Sequence, residues 1–420
     1  MGGGRRGLEL NRGMDHVQPP EEDADLPGFC RALGVPGLAD VHTHFLPPRM
    51  LKRVWEYFDA AGPLIGTDWP IRYKWTDDER VAHLRSMNVK LFSALAYAHR
   101  PGMAADLNAW TLEFGLRTPG CLPSATFYPE PEAARYVGEA LDAGARVFKV
   151  HLQVGGFTPL DPLLDEVWGL VSEAGVPVVV HAGHAPVGTD YTGPAPFGAL
   201  MERYPDMTAI VAHLGAPDYG EFLGLAEEYE RVRLDTTMVF TGFFDRLAPF
   251  PDALKPRARE LGMAGKILLG SDFPNLPYPY ALQIAGLIRL GLGEDWLRAV
   301  CWDNPVALFG LPELPALPET AGLARTGTSG SHYSGDLFLA CSTANPGAFK
   351  PEDAKKMSRL DFVPWEILDP YYEAVVQTCE EAVVNALVAN EDMTGRDGHR
   401  TPALPRDRVV QLLTEAGRIR

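Results

Sequence analysis

Short apolar runs alternate with amphipathic stretches rich in alanine, leucine and glutamate from Gly37 to about Leu311. Runs of this kind predict the strands of a parallel sheet, each followed by a helix that covers it. Strands buried on both faces read as almost continuous apolar sequence, as Val-Pro-Val-Val-Val at 176–180 does. We predict eight strands, at Leu38–His42, Val89–Ala98, Leu122–Phe127, Ala145–His151, Pro177–His181, Thr208–His213, Val232–Thr236 and Lys266–Gly270.

Stretches with helical spacing lie between these runs, at Thr76–Ser86, Ala104–Arg117, Pro131–Ala143, Pro162–Ala174, Phe197–Tyr204, Tyr219–Tyr229, Arg246–Leu261 and Tyr280–Leu290. Eight strand–helix pairs predict an α/β chain with a (β/α)8 TIM-type barrel. An open doubly wound sheet is the alternative, but no Gly-x-Gly-x-x-Gly follows the first strand. The segment Arg49–Trp75 would be an insertion that overhangs the C-terminal mouth of the barrel, where substrate walls are built.

A pair of histidines, His42 and His44, lies at the end of the first predicted strand. Residues two apart on a strand point to the same side, so both imidazoles project together. Two adjacent imidazoles pack poorly in a core, but they form half of a zinc site. The other interpretation is two ordinary histidines in a turn, and the choice depends on whether later strands supply more ligands.

Three later strands also end in residues that bind metals or move protons: His181 after the fifth, His213 after the sixth and Asp272 after the eighth. Taken singly, each is also explained as a hydrogen-bonded boundary or turn residue. Together with the first-strand pair, His181 and Asp272 would meet at one rim of the barrel and suit one divalent metal, Zn²⁺ above all, with room for water. We predict that His213 lies close by as a general base or electrophile.

The fourth strand carries Lys149 and His151, again two residues apart and therefore on one face. One interpretation is that Lys149 extends toward solvent or pairs with an acidic side chain. A second is that one of the two residues binds an anionic group of the substrate. A third is a carbamylated Lys149 that bridges two metal ions, and the residues leave all three open.

The composition and net charge indicate which binding partners and which cellular location to expect. A formal net charge of −17 over 420 residues argues against a nucleic-acid surface, and no apolar run approaches the length of a membrane span. The partner we expect is a small-molecule substrate. Five scattered cysteines without a Cys-x-x-Cys fit reduced thiols and a cytoplasmic location. Residues 1–27 turn from basic to acidic without the apolar centre of a signal peptide, so we expect them to be disordered.

The barrel segment resembles the amidohydrolase superfamily, in particular its aminocarboxymuconate semialdehyde decarboxylase-like branch. The resemblance covers about residues 37–311 and is carried by Asp-Val-His-Thr-His at 40–44, by His181 and His213, and by Leu-Leu-Gly-Ser-Asp-Phe-Pro at 268–274. It implies a (β/α)8 barrel, which we place at residues 28–311. It also implies one divalent metal, usually zinc, held by the first-strand histidine pair, His181 and Asp272. His213 would be the catalyst, and Asp272 would also take a proton from water.

The resembling branch contains hydrolases and non-oxidative decarboxylases. We expect a hydrolase, in which metal-activated water attacks a C–N or C–O bond of a small molecule. The alternative is a metal-dependent decarboxylase (a carbon–carbon lyase) of an unsaturated or aromatic carboxylate, which needs a cation for the carboxylate. Arg49, Arg72 and Arg100 are candidates for that cation, and we add Arg49 to the predicted substrate-binding set. A catalytically silent binding module is the alternative outside enzymes.

The composition changes after Leu311. We predict a proline-rich linker at 312–321 and a small α+β segment at 322–420. That segment would contain a strand at 336–343, a long helix from about Pro370 to Ala389 and a last helix at Pro405–Glu415.

The C-terminal segment resembles part of a second family, the P1 (DmpA-type) aminopeptidases. The matching text includes Ser-Gly-Asp-Leu-Phe-Leu-Ala at 334–340 and Met-Thr-Gly-Arg-Asp-Gly at 393–398. In that family a serine freed by cleavage of a Gly-Ser bond is the nucleophile, and Ser334 and Asp336 match supporting positions. No Gly-Ser opens an apolar strand upstream here, so we expect a remnant without peptidase activity. An N-terminal-nucleophile aminopeptidase that works through this segment is the less favoured alternative. Docking on the barrel and homo-oligomer formation are left open as its role.

Overall fold

The computed structural model describes residues 17–310 and 369–419. The chain divides into two units, Met1–Pro312 and Glu313–Arg420. The predicted site residues all belong to the first unit. The bounds expected for the barrel, the linker and the C-terminal segment stay predictions.

Parallel strands in sequence order form the centre of the first unit. From the first to the eighth they are Leu38–Asp40, Val89–Ser93, Cys121–Leu122 with Ser124–Thr126, Val147–His151, Val178–His181, Ala209–Val211, Val232–Asp235 and Ile267–Leu268. Pro123 separates the two parts of the third strand, since proline has no N–H to give to a strand ladder. The three valines of the fifth strand are fully buried, as expected of a sheet covered on both faces.

The first and eighth strands meet and close the ring. The N–H of Val41 donates to the carbonyl of Leu269 at 2.9 Å, and the N–H of His44 donates to the carbonyl of Phe273 at 2.7 Å. Thr43 and Phe273 form a parallel bridge between the two ends. The predicted (β/α)8 barrel is therefore confirmed.

Helices surround the strands and extend their connections. The α-helices of the first unit are Leu26–Leu33, Pro48–Ala60, Gly62–Ile65, Asp77–Ser86, Ala104–Arg117, Ala133–Asp142, Leu152–Gly155, Asp165–Glu173, Pro194–Arg203, Tyr219–Glu228, Lys255–Met263, Ala281–Arg289, Glu294–Arg298 and Asn304–Phe309. Helix Asp77–Ser86 begins as predicted because Thr76 and Glu79 cap each other. The N–H of Thr76 donates to Oε2 of Glu79 at 2.9 Å, and the N–H of Glu79 donates to Oγ1 of Thr76 at 3.3 Å.

Several predicted elements differ from the structure, and the second strand, for example, ends at Ser93 and not at Ala98. The sixth strand ends at Val211 and not at His213, because the chain turns into a short 3-10 segment, Ala212–Gly215. The helix predicted at Arg246–Leu261 is wrong over its first half: prolines at 249 and 251 interrupt it, and the α-helix begins only at Lys255.

The acidic part of the N-terminal segment is not disordered, which corrects the expectation for residues 17–27. A 3-10 turn, Asp23–Asp25, leads directly into helix Leu26–Leu33. Asp23 is buried, and its carboxylate accepts hydrogen bonds from the hydroxyl of Tyr73 at 2.6 Å and from the N–H of Ala281 at 2.9 Å. Composition alone predicted disorder, because it does not reveal a carboxylate with partners far along the chain. Residues 1–16 lie outside the described part of the chain.

The described part of the second unit contains two helices and a hairpin. The elements are helix Asp369–Ala389, the antiparallel strands Met393–Thr394 and Arg400–Thr401, and helix Arg406–Glu415. On the predicted apolar face of the long helix Val375, Cys379 and Val383 are half-buried, whereas Leu387 is exposed. The predicted strand at 336–343, together with Ser334 and Asp336, lies outside the described residues.

Candidate active site

A cavity of about 760 Å³ opens at the C-terminal ends of the barrel strands. Its volume lies within the range of small-molecule sites. All the residues that the sequence predicted as catalytic, metal-ligating or substrate-binding line this cavity: His42, His44, Arg49, Lys149, His151, His181, His213 and Asp272. The structure therefore brings the predicted residues together, while their individual roles stay predictions.

The insertion after the first strand forms an apolar wall of the cavity, as predicted from its position. On helix Pro48–Ala60, the side chains of Met50, Val54, Tyr57 and Phe58 line the cavity. Their spacing of three and four residues places them on one face of the helix. The cavity therefore offers aromatic and aliphatic contacts above the polar strand ends.

The tightest polar group in the cavity consists of His42, His44 and Asp272. Each offers one ligand atom, and these atoms all lie within 4.8 Å of one another. Nε2 of His44 lies 2.8 Å from Oδ1 of Asp272, and Nε2 of His42 lies 3.7 Å from the same oxygen. Ligand atoms around one ion with bonds of about 2 Å lie roughly 3 Å apart. The three side chains therefore fit a divalent cation with little movement.

The second ring nitrogen of each of these histidines is held by the protein. Nδ1 of His44 donates to the carbonyl of Leu95 at 2.9 Å, and Nδ1 of His42 donates to Oδ2 of Asp235 at 2.8 Å. Such bonds fix the orientation of metal-ligating histidines and leave Nε2 for the metal. Burial lowers the pKa of His42 to about 3, helped by the charge of Lys149, so its Nε2 stays unprotonated at neutral pH.

Asp235 is a site residue that the sequence analysis missed. It ends the seventh strand, is fully buried, and accepts hydrogen bonds from the N–H of His213 at 3.0 Å and of Thr237 at 3.1 Å in addition to that from His42. Burial alone would raise the pKa of Asp235, but its interactions with His42 hold the pKa below the usual range. We selected Asp272 from the sequence because it is an acidic residue at the end of a predicted strand. Asp235 has the same position at the end of the seventh strand and could have been selected in the same way.

His151, His181 and His213 extend the polar group as a row of rings. The rings of His151 and His181 stack at 3.8 Å because the two residues are register partners on neighbouring strands. The rings of His181 and His213 lie 4.9 Å apart. His181 is not part of the tight group: its Nε2 donates to the carbonyl of Ala185 at 2.9 Å, so Nδ1 is the unprotonated nitrogen of its neutral ring.

Two residues of the site adopt left-handed backbone conformations. The φ angles of His213 and Asp272 are 55° and 78°, which residues other than glycine seldom adopt. The N–H of Asp272 donates to the carbonyl of His42 at 2.9 Å, and that of His213 donates to Asp235, so the fold compensates for the strain. Strained backbone that is held in this way is typical of functional positions.

Lys149 contacts the metal-ligand group directly. Its ammonium donates to Nε2 of His42 at 3.2 Å, and burial lowers the pKa of Lys149 to about 8. The side chain is 1% exposed, so the interpretation in which it extends to solvent is wrong. Pairing with an acidic side chain, anion binding and carbamylation all stay open.

Arginines surround the mouth of the cavity. Arg49, Arg53 and Arg100 line it, are exposed, and have no ion pair or side-chain hydrogen bond within residues 17–310 and 369–419. Arg53 was not nominated by the sequence. Arg72, which was named for the same purpose, does not line the cavity and lies 4.0 Å from a carboxylate oxygen of Glu22.

Tyr97 is a further lining residue that sequence reasoning missed. Its ring lies 5.0 Å from that of His151 and 6.1 Å from that of His44. Burial, with the charge of Asp272, raises the pKa of its phenol, so the group can donate a hydrogen bond but does not ionise near neutral pH. It follows the second strand within an apolar run, which gave no signal of a polar role.

The amidohydrolase family model matches residues 39–311, more than half of the chain. The chain belongs to the amidohydrolase family. The matched region contains the whole ring of strands and each of the predicted site residues, and the His42–His44–Asp272 group lies at the strand ends of this amidohydrolase barrel.

Solved structures resemble the barrel in fold. An uncharacterised TIM-barrel protein of Bordetella bronchiseptica is 17% identical, with a TM-score of 0.52, over 64% of this chain and 98% of its own. The 5-carboxyvanillate decarboxylase LigW of Sphingomonas paucimobilis is 15% identical, with a TM-score of 0.46, over 66% of this chain and 100% of its own. At 17% identity, the similarity to the Bordetella bronchiseptica protein shows a shared fold and nothing about the reaction.

The C-terminal part matches a different family. The peptidase family S58 model covers residues 315–401. The beta-peptidyl aminopeptidases BapA of Sphingosinicella microcystinivorans and Sphingosinicella xenopeptidilytica are 34% identical over 126 residues and 33% identical over 119 residues. The similarity spans 31% and 29% of their lengths and 28% of this chain. The chain therefore combines an amidohydrolase barrel with a segment that covers less than a third of these peptidases.

Within residues 17–310 and 369–419, no helix has both the length and the apolar composition to cross a bilayer.

Proposed function

We propose that this chain is a metal-dependent hydrolase that cleaves a C–N or C–O bond of a small molecule. The observation that carries the proposal is the group of His42, His44 and Asp272 beside His213 in one cavity. Two imidazole nitrogens and a carboxylate oxygen suit Zn²⁺, and Nδ1 of His181 is the proposed fourth ligand atom. A divalent cation bound there supplies Lewis-acid activation of a substrate carbonyl and of water.

His213 is the proposed general base. Nδ1 of His213 donates to the carbonyl of Thr237 at 3.0 Å, which leaves Nε2 as the acceptor for a proton. Burial lowers the pKa of His213, so the ring is neutral and able to accept that proton at neutral pH. Asp272 is the second proposed proton acceptor, because burial is outweighed by its bond to His44 and its pKa is lowered, which keeps it ionised.

Arg49, Lys149 and His151 are the proposed substrate-binding residues. Arg49 approaches from the insertion helix, and His151 approaches from the fourth strand, on the opposite side from the eighth. Lys149 either binds an anionic group beside His42 or, as a carbamate, becomes a ligand itself. Intact mass with and without bicarbonate separates the two, since a carbamate adds the mass of CO₂ and acid removes it.

A decarboxylase is the second candidate, and one observation favours it. Arg49, Arg53 and Arg100 line one cavity and have no ion-pair partner among residues 17–310 and 369–419, which suits a carboxylate substrate. For activity of the C-terminal segment as a peptidase, no comparable group of residues lies within its described part, 369–419.

The test is product analysis on the full chain. Protein stripped with a chelator and reloaded with Zn²⁺, Mn²⁺, Co²⁺ or Fe²⁺ is given amides, esters, lactones, and unsaturated and aromatic carboxylates. Release of acid with amine or alcohol, lost in His42→Ala and kept in His399→Ala, supports the hydrolase; His399 is an exposed histidine of the second unit. Release of CO₂ would instead support the decarboxylase and contradict the hydrolase. Turnover that persists in His42→Ala would contradict both.

A further inference from the structure

Two carboxamide side chains, those of Gln153 and Asn275, line the cavity. Gln153 lies in helix Leu152–Gly155 after the fourth strand, and Asn275 follows Asp272 beyond the eighth. Oε1 of Gln153 and Oδ1 of Asn275 are buried and have no hydrogen-bond partner among the described residues. Asn275 is 5% exposed. A buried amide oxygen without a partner destabilises a fold, so folding does not explain these two residues.

The backbone of Asn275 is firmly held although its side chain is not. Its N–H donates to the carbonyl of Asp272 at 2.8 Å, and its carbonyl accepts from Nε1 of Trp69 at 2.7 Å. Asn108 shows what a structural amide looks like in this barrel: its Nδ2 donates to the carbonyl of Thr126 at 3.0 Å, and its Oδ1 accepts from the N–H of Thr126 at 2.7 Å. The contrast indicates that the carboxamide of Asn275 serves a ligand.

The two carboxamides follow strands on opposite sides of the barrel, and Asn275 is on the side of the metal-ligand group. The fourth and eighth strands face each other across a ring of eight, and His42, His44 and Asp272 lie at the eighth-to-first junction. A molecule that extends from that group across the cavity toward the fourth strand would have Asn275 near one end and Gln153 near the other. Rotation about the last side-chain bond turns either the oxygen or the NH₂ of each amide toward the ligand.

The other residues that line the cavity indicate which ligand atoms are left for the two carboxamides to bind. Arg49, Arg53 and Arg100 are donors only, so they suit a carboxylate of the ligand. Phe58 and the other apolar side chains of the insertion suit an apolar body. Apart from the metal-ligand carboxylate of Asp272, the side-chain oxygens left to accept a donor from the ligand include those of the two carboxamides.

We propose that Gln153 and Asn275 determine substrate specificity by accepting hydrogen bonds from N–H groups of the substrate. The substrate class is then an amide with an apolar acyl group and a carboxylate, in preference to an ester of the same shape. This inference deepens the proposed function, because it takes His42, His44 and Asp272 as the place of the reacting bond. A site built to bind an N–H rejects an analogue without it, since the acceptor is left unpaired.

Binding of three probes to the Zn²⁺-loaded full chain tests the inference. The probes are N-benzoylglycine, its N-methyl form and the ester O-benzoylglycolate, and calorimetry in a His213→Asn background measures binding apart from turnover. We expect N-benzoylglycine to bind about 10-fold more tightly than either analogue. N-benzoylglycine has a single N–H, so the preference should fall toward 1-fold in whichever of Gln153→Ala and Asn275→Ala removes its acceptor. Val54→Ala should weaken all three probes alike.

Equal affinity for the three probes, including no measurable binding of any of them, would overturn the inference, as would a preference that survives in both amide variants. The ester separates the loss of the N–H from the added bulk of the methyl group. If the preference is present and lost in the variants but the wild-type chain releases no product, the inference stands and the proposed hydrolase is wrong. If product forms but the chain shows no preference for the probe with the N–H, the proposed hydrolase stands and the inference about Gln153 and Asn275 is wrong.

Discussion

Asp235 accepts a hydrogen bond of 2.8 Å from Nδ1 of His42, and both side chains are buried. The same carboxylate accepts the N–H of His213 through its other oxygen, at 3.0 Å. One residue at the end of the seventh strand therefore orients a proposed metal ligand of the first strand and the proposed base of the sixth.

Replacing Asp235 tests this relationship. Asp235→Asn removes the charge that fixes the Nδ1 tautomer of His42, and we expect the affinity for Zn²⁺ to fall about 10- to 100-fold. The measurement is competition with a chromophoric chelator. Asp245→Asn is the matched control, because Asp245 is an exposed aspartate ten residues further along. Unchanged affinity in Asp235→Asn would show that His42 does not need this carboxylate.

Replacing His213 should lower turnover without changing the amount of bound metal. We expect His213→Asn to lower kcat by about 100-fold or more on whichever substrate is found, since a general base contributes on that order. Asparagine tolerates the left-handed backbone that His213 adopts, so the turn should persist. The readouts are kcat and bound metal per chain. Loss of the metal in this variant would make His213 a ligand instead of a base.

Asp23 should stabilise the barrel in a pH-dependent manner. Burial opposes ionisation, but hydrogen bonds from His83, Tyr73 and Ala281 outweigh it and lower the pKa of Asp23. A lowered folded-state pKa contributes stability above the unfolded pKa of about 4, and this contribution is lost as the pH falls through the folded value.

We therefore expect Asp23→Asn to cost about 1–3 kcal/mol of unfolding free energy at pH 7 and less as the pH is lowered below about 4. Urea titrations of wild type and variant at several pH values provide the measurement. Asp206→Asn, at an exposed aspartate, is the control and should change little. A difference that does not depend on pH would mean that the charge of Asp23 is not involved.

The barrel should keep its metal site without the C-terminal segment. All strands of the ring and all residues of the cavity lie before residue 310. A chain that ends at Pro312 should bind the same amount of Zn²⁺ as the full chain, with Tm changed by no more than about 4 °C. Failure to fold, or loss of the metal, would show that the peptidase-like segment is part of the enzyme.

The sequence predicted the barrel and the convergence of its site, because both follow from local patterns. Apolar runs marked the strands, and His181 and Asp272 stood out since each directly follows such a run. Helix Ala104–Arg117 has the predicted bounds, and the insertion lines the cavity as its position after the first strand suggested.

Other features depend on contacts between distant residues, which a single sequence does not display. Asp23 is ordered by Tyr73 and Ala281, far along the chain, so its acidic surroundings were misleading. The left-handed turn at His213 depends on Asp235, twenty-two residues later. The sequence likewise did not predict a role for Asn275, because an amide oxygen without a hydrogen-bond partner is recognised only when its neighbours in the structure are known.

The most direct test of the account is the metal content of the purified full-length chain after loading with Zn²⁺ and removal of the excess, measured by elemental analysis alongside His42→Ala and Asp272→Asn. We predict one tightly bound divalent cation per chain, lost in both variants and retained in His399→Ala. A chain that binds no cation, or variants that bind as much as the wild type, would contradict it.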